Sequence, residues 1–278
     1  MHAPAPATSD TAAHGLPLWE FVAMMASLSA VNALGIDMML PALPEIGRAL
    51  HLPVENYQQL VIAVYVASFG MGQLIWGPLA DRFGRRSILL GAMAIYAAMS
   101  FLAAHSGDFE LLLAARALQG LSAASTRVLS SSIIRDCYTG RTMAKIMSLS
   151  FMVFLAVPIL APFLGQLVLL VAPWRWIFYV LGGFSLAVAL WAGLRLPETL
   201  DPANRRPISV RAITSAAREV LTNRYSIGYS VAMGCIYGGL LGFLNSSQQI
   251  LAHVFGRPDL FAVCFGAIVV FMAAAALL

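Results

Sequence analysis

The stretch that decides the fold runs from Gly77 to Arg86 and reads Gly-Pro-Leu-Ala-Asp-Arg-Phe-Gly-Arg-Arg. Gly77 and Gly84 bracket one acid, Asp81, and the first of three arginines, Arg82, Arg85 and Arg86. Long apolar segments flank this turn on both sides. Charges at that density are expelled from hydrocarbon, so they fix the turn at a water face and mark its neighbours as membrane-spanning helices. The composition agrees: of 278 residues, 60% are hydrophobic and 11% charged, with a mean hydropathy of +0.80. One soluble core cannot hide so much apolar surface, and lipid must be the solvent for much of it. At about 20 apolar residues per spanning helix, eight segments qualify: 17–40, 57–79, 87–105, 109–134, 143–171, 175–195, 225–251 and 258–278.

If the loops alternate sides, the charges sort themselves. One side carries Arg82, Arg85, Arg86, Arg135, Arg141, Lys145, Arg195, Arg205, Arg206, Arg211, Arg218 and Arg224; the other carries Arg48, Arg175 and Arg257. That positive-inside bias places the N-terminus in the cytoplasm and accounts for the net charge of +4 without a nucleic-acid partner. Cys137, Cys235 and Cys264 have no ligand spacing and the five histidines form no metal-like group, so neither a metal nor another cofactor is expected. Residues 1–16 are rich in alanine and proline and lack a basic region ahead of the apolar run. They are expected to form a disordered cytoplasmic tail rather than a signal peptide.

The expected domains are a six-span N-terminal bundle over 17–195, a cytoplasmic linker over 196–224, and the start of a second bundle over 225–278. Within the linker, Val210, Ile213, Ala217, Val220 and Leu221 recur at helical spacing around Arg211 and Arg218. The pattern suits an amphipathic helix on the inner leaflet or a solvated connector. The chain ends within an apolar run, Phe271 to Leu278. It is expected to be a truncated form of a longer protein.

Few residues inside the spans can carry chemistry. Asp37 lies among Leu34, Ile36, Met38 and Leu40, with Pro41 and Pro44 just beyond. An acid there either faces a wet cavity or caps the outer end of its span. Low dielectric favours the neutral acid and a nearby cation the ionised one, so an acid that alternates between such settings can carry a proton. Arg116 and Arg127 stand eleven residues apart in the fourth span, three helical turns and nearly one face. Arg116 is expected to share a cavity with Asp37, whereas Arg127 either lines a cavity or reaches to an interface. Pro158 and Pro162 lie four apart in the fifth span, with Gly165 following, and permit close helix approach. Asn32, Gln119, Arg127, Tyr237 and Asn245 are candidates to line a substrate cavity; Asn245 equally suits a helix end at water. No nucleophile or phosphate-loop pattern appears, and an enzyme is not expected.

Several strings together carry a resemblance: DMMLPALP from Asp37, the 77–86 turn, RALQG from Arg116, PILAPFLG from Pro158, WRWIF from Trp174 and LPETL from Leu196. They resemble, in order and over nearly the whole chain, the Bcr/CflA (bicyclomycin-resistance) branch of the drug:proton antiporters in the major facilitator superfamily. The resemblance implies an all-α polytopic membrane protein with a complete N-terminal six-helix bundle and about two helices of the C-terminal one. It implies export of small amphipathic compounds across a bacterial inner membrane in exchange for protons. Asp37 matches the first-span acid and Arg116 the arginine linked to proton coupling. Gly77, Asp81, Arg82, Gly84, Arg85 and Arg86 match the gating turn, whose partner helix lies in the second bundle. Pro158, Pro162 and Gly165 match the antiporter packing motif, with Ala161 and Gln166 where the pattern has glycines. Some relatives carry another acid two turns before Asp37, at the level of Ser29. Two other readings stay open: a proton-coupled importer of a small nutrient, or a membrane fragment that transports nothing unless the missing spans are supplied.

Overall fold

The computed structural model describes residues 16–54, 56–205, 207, 210–256, 264 and 267. The described part is helical: α1 Leu18–Asp37, α2 Leu43–Ala49, α3 Leu60–Phe83, α4 Arg85–Ala104, α5 Phe109–Cys137, α6 Gly140–Val171, α7 Arg175–Arg195, α8 Val210–Thr222 and α9 Arg224–Gln249. Of the expected tail over 1–16, residues 1–15 lie outside the described residues, as does the expected eighth span over 258–278 apart from residues 264 and 267; Leu16 is described and buried. The chain divides into two compact units, Met1–Arg205 and Arg206–Leu278. The first unit thus runs past the expected boundary at 195, because Leu196 and Leu200 are buried and Glu198 is bound to the start of α4. The second unit contains α8, over the stretch whose spacing suggested an amphipathic helix, and α9 over the expected seventh span.

Local sequence explains where the helices begin and end. α1 stops at Asp37 because Pro41 lacks the N–H that would reach the Asp37 carbonyl, and Pro44 lacks the one for Leu40. A short 3₁₀ turn, Leu40–Ala42, links it to α2. α5 starts where the Asp108 carboxylate accepts from the Leu111 N–H at 2.7 Å, satisfying one orphan donor of the first turn. Between α3 and α4 the chain reverses on Gly84 at φ 98°, a region other residues enter only with strain. α6 continues through Pro158 and Pro162 as one helix.

Among the described residues, Leu18–Ala49, Tyr57–Phe83, Arg85–Ala104 and Arg175–Arg195 are long and apolar enough to cross a membrane. α5 is longer, at 29 residues, but falls short in apolarity. Its polar residues Arg116, Gln119, Ser122, Ser125, Thr126 and Ser130 are buried among neighbouring helices rather than turned to lipid.

α5 packs most intimately against α3, through glycines. A Cβ on Gly120 would collide with the Tyr65 backbone carbonyl, and one on Gly72 would sit 2.5 Å from the Leu121 carbonyl oxygen. The backbones approach so closely only because both positions lack side chains. The indole of Trp76 then donates to the Leu121 carbonyl at 2.6 Å. We predict that Gly120→Ala forces α3 and α5 apart and costs about 1–3 kcal/mol. A thermal melt of the purified chain in detergent would register this as a lower midpoint, whereas Gly91→Ala, at a position open to space, should leave it unchanged.

Candidate functional site

The centre of the first unit is a polar cluster around Arg116, whose side chain is wholly buried. Its Nε donates to the Val61 carbonyl of α3 at 3.0 Å, Nη1 to Gln119 Oε1 at 2.7 Å, and Nη2 to the Gly35 carbonyl of α1 at 2.9 Å. The guanidinium carbon lies 4.2 Å from the Tyr65 ring centroid and 5.9 Å from that of Phe178 on α7. A buried cation needs such company: dipoles pointed at it, and the negative face of an aromatic ring. The network spreads to α4, where Gln119 Nε2 donates to Ser100 Oγ at 2.6 Å and Ser100 to the Tyr96 carbonyl at 2.8 Å. Tyr65 Oη donates to Asn32 Oδ1 at 3.2 Å and Tyr96 Oη to the Val31 carbonyl at 3.4 Å. Gly35 leaves room for both phenols: a Cβ there would lie 2.7 Å from one hydroxyl oxygen and 2.8 Å from the other.

Asp37 is the last residue of α1 and is 4% exposed. It is therefore both at the end of its helix and enclosed by protein. No carboxylate among the described residues pairs with Arg116; the ion pairs there are Arg85–Asp81, Arg85–Asp136 and Arg195–Glu20. Arg116 meets α1 at the Gly35 carbonyl, two residues before Asp37, instead of at the acid itself. The reason is the end of the helix: with no turn following, the Gly35 carbonyl is one of the four left over, and a cation is a favourable partner for it. Gly165 of α6 touches the same place from the other side. A Cβ on it would collide with the Met38 carbonyl and lie 3.1 Å from Pro41 Cγ. The Pro158–Gly165 motif thus lies on the helix packed against the backbone just after Asp37.

Of the cavity candidates, Asn32 and Gln119 are buried and hydrogen-bonded to Tyr65 and Arg116 respectively. Arg127 instead lines a cavity with Ser29, Ser130, Ser131, Ile134, Met147, Ser148 and Ser150. The side chains of Tyr237 and Asn245 lie outside the described part of the structure.

At the water-facing end, the Gly77–Arg86 turn is held by residues that sequence reasoning did not assign. Arg85 pairs with Asp81 one turn back and, through Nε, with Asp136 Oδ2 at 3.1 Å. Glu198 accepts from the backbone N–H groups of Arg85 at 2.8 Å and Arg86 at 3.3 Å, capping α4 with a carboxylate where the helix dipole favours one. Gly84 is needed here twice, for its φ and because a Cβ would collide with the Glu198 carboxylate. Arg86 donates to the Gly193 carbonyl near the end of α7. Glu20 on α1 completes this end by accepting from Arg195 at 2.7 and 2.8 Å and from the Trp191 indole at 3.3 Å. The one signal in the sequence was scarcity: Asp136 and Glu198 belong to a chain with only 13 acids.

Long apolar helices closed around a buried arginine whose partners come from several helices define a multi-pass helical membrane protein. The chain belongs to the Major Facilitator Superfamily, whose sequence profile matches residues 25–278. It is 34% identical over 87% of its length to an uncharacterised transporter of that type, YdgK, from Bacillus subtilis. It is 29% identical over 86% to a bicyclomycin resistance protein homologue from Haemophilus influenzae, and 32% over 80% to the multidrug resistance protein MdtL of Salmonella heidelberg. These names fall in the branch expected from the motifs. The chain spans 61%, 60% and 55% of the length of these three relatives. The fold is shared with the human organic anion transporter MFSD10 (TM-score 0.58, 22% identity, 71% of this chain and 53% of that one). A peptide transporter, POT, gives the same TM-score at 19% identity over 86% of this chain and 50% of its own.

Two variants test the centre of the unit and its water-facing end. Arg116→Lys keeps the charge but cannot reach three acceptors while lying flat on Tyr65, and should cost about 2 kcal/mol or more of stability. Glu198→Ala uncaps α4 and should cost about 1 kcal/mol. Both would be read as lower thermal midpoints, with the larger drop for Arg116→Lys.

Proposed function

We propose that this chain supplies the proton-carrying half of an inner-membrane exporter that moves small amphipathic drugs or metabolites outward in exchange for protons. The N-terminus would lie in the cytoplasm, the positive-inside side of the charge distribution. Protons are the coupling ion, no cofactor takes part, and the chain makes and breaks no covalent bond. The observation that carries this reading is Asp37: an enclosed acid ending α1, with the Gly35 carbonyl two residues earlier held by a buried arginine and the Met38 carbonyl just after it packed against Gly165. Relatives named for bicyclomycin and multidrug resistance support the direction and the kind of solute.

In this reading Arg116 acts on Asp37 through the backbone. A shift of the α1 end changes what faces Asp37, and Arg116 holds that end from the core side while α6 holds it from the other. The acid takes up a proton when the cavity opens outward and loses it inward as substrate enters. The driving force is sufficient, at about 2.3 kcal/mol per charge per 100 mV of membrane potential and about 1.4 kcal/mol per pH unit. The cationic turn around Asp81 and Arg85 would gate the inner face together with the second bundle of the whole transporter.

Everted membrane vesicles energised to an acidic interior test this directly. Adding bicyclomycin, or another amphipathic antibiotic the protein excludes, should dissipate the pH gradient in wild type by at least several-fold more than in Asp37→Asn. The variant should reach the membrane in equal amount. Gradient dissipation and export that survive in Asp37→Asn would sink Asp37 as the proton carrier.

A further inference from the structure

The helix α8, Val210–Thr222, is divided lengthwise by chemistry. At about 100° of turn per residue, the positions of Val210, Ile213, Ala217, Val220 and Leu221 fall on one face. Ser215 stands opposite, and Arg211 and Arg218 lie in line along the border between the two faces. Of the apolar positions, Val220 is 52% exposed and Leu221 65%.

What this face meets follows from how α8 is joined to α9. One residue, Asn223, separates the two helices. Its N–H donates to the Glu219 carbonyl at 3.1 Å and closes α8. Its side-chain Oδ1 accepts from the N–H groups of Tyr225 at 3.0 Å and Ser226 at 3.3 Å and opens α9. At the mouth of α9, the Arg224 guanidinium donates to the Tyr225 hydroxyl oxygen at 2.8 Å and lies 4.8 Å from the centroid of that ring. Tyr225 itself is exposed. A tyrosine and an arginine at the start of a helix of 26 residues, long enough to span, mark the headgroup level of a bilayer. α8 ends one residue from that level, with Val220 and Leu221 uncovered. The surrounding charge is one-sided: over residues 205–224 stand Arg205, Arg206, Arg211, Arg218 and Arg224 against Glu219 alone. A cationic helix with an exposed apolar face at headgroup level is complementary to a surface of anionic lipid.

We propose that α8 lies in the headgroup layer of the inner leaflet and is held there by anionic lipids. Its apolar positions turn toward the acyl chains, and Arg211 and Arg218 meet lipid phosphates. The connector between the two bundles is then a membrane-bound strap that fixes, through Asn223, the depth at which α9 enters. The proposal rests on the multi-pass membrane reading and on a cytoplasmic connector; it does not depend on proton coupling or on the identity of the solute.

Spin labels on the purified full chain in lipid nanodiscs provide the test. With Cys137, Cys235 and Cys264 replaced by serine, a label is placed through Leu221→Cys, on the apolar face, or through Ser215→Cys, opposite it. Relaxation by oxygen, which partitions into lipid, is compared with relaxation by a nickel chelate, which stays in water. In discs of phosphatidylcholine mixed with phosphatidylglycerol, the oxygen-to-nickel ratio should be about tenfold higher at 221 than at 215. In pure phosphatidylcholine, or with Arg211→Gln and Arg218→Gln together, that contrast should fall by about threefold or more. Equal access of the nickel chelate to both positions would make α8 a solvated connector. Shielding of position 221 from both probes would mean that protein, either the first unit or a second copy, covers the face. Either result overturns the proposal, as does a lipid-facing 221 label that ignores both the headgroup charge and the two arginines. If the double variant does not fold, the comparison of the two lipids decides alone. No gradient or solute enters these measurements. An exporter with a solvated α8 would remove this inference only, and a lipid-bound α8 in a chain that dissipates no gradient would remove the export reading only.

Discussion

A guanidinium cannot be left bare in a low-dielectric interior, and that constraint organises the first unit of this protein. Moving an ion of that kind out of water carries an idealised cost of order 20 kcal/mol. Arg116 is nonetheless wholly buried. It is compensated by the Val61 and Gly35 carbonyls, by Gln119, and by the face of Tyr65. Each of these demands something of another helix. The Val61 carbonyl and the Tyr65 ring are in reach only if α3 lies close against α5, which Gly120 and Gly72 permit. The Gly35 carbonyl suits a cation because α1 ends two residues later, and α1 ends there because of Pro41 and Pro44. One cation therefore links a glycine-packed helix pair to a proline-terminated helix end.

The water-facing end is built on the opposite logic, with charge abundant and compensation supplied by carboxylates. Glu198 caps α4 while Asp81 and Asp136 share Arg85, and Glu20 receives a fork from Arg195. These pairs are partly solvated, so each stabilises modestly by itself. Their effect is geometric: the residues after α7 are tied to the turn between α3 and α4, and α7 is tied to α1. The residues at 196–205 thereby belong to the first unit, and the connector to the second begins after them.

Much of this was legible in the chain. Hydropathy gave helices of membrane length, and the ordered motifs gave the family, because both are properties of contiguous sequence. Asp37, Arg116 and the Gly77–Arg86 turn stood out since charge inside or between apolar runs is costly enough to need a reason. What could not be read was who meets whom. Arg116 was expected to share a cavity with Asp37, yet α1 and α3 offered it backbone carbonyls, which no residue pattern announces. Asn32 and Gln119 were singled out as polar groups within spans; the structure adds what they bond, Gln119 accepting from Arg116 and Asn32 from Tyr65. Glu198 looked like part of a connector, since nothing local says that a carboxylate will cap a helix more than a hundred residues earlier in the chain.

The two arginines of α5 show how one helix can hold the same chemical group in two conditions. At three turns' separation they share a face, and sequence spacing treats them alike. The difference comes from what surrounds each. Arg116 sits at the level of Tyr65, Tyr96 and Gln119, where every neighbour is already directed at it or at its partners. Arg127 sits at the level of small hydroxyl residues, which leave volume instead of filling it. Large side chains around a cation make it a structural tie; small ones leave a cavity beside it. One helix thereby both holds the end of α1 and borders a cavity with α6.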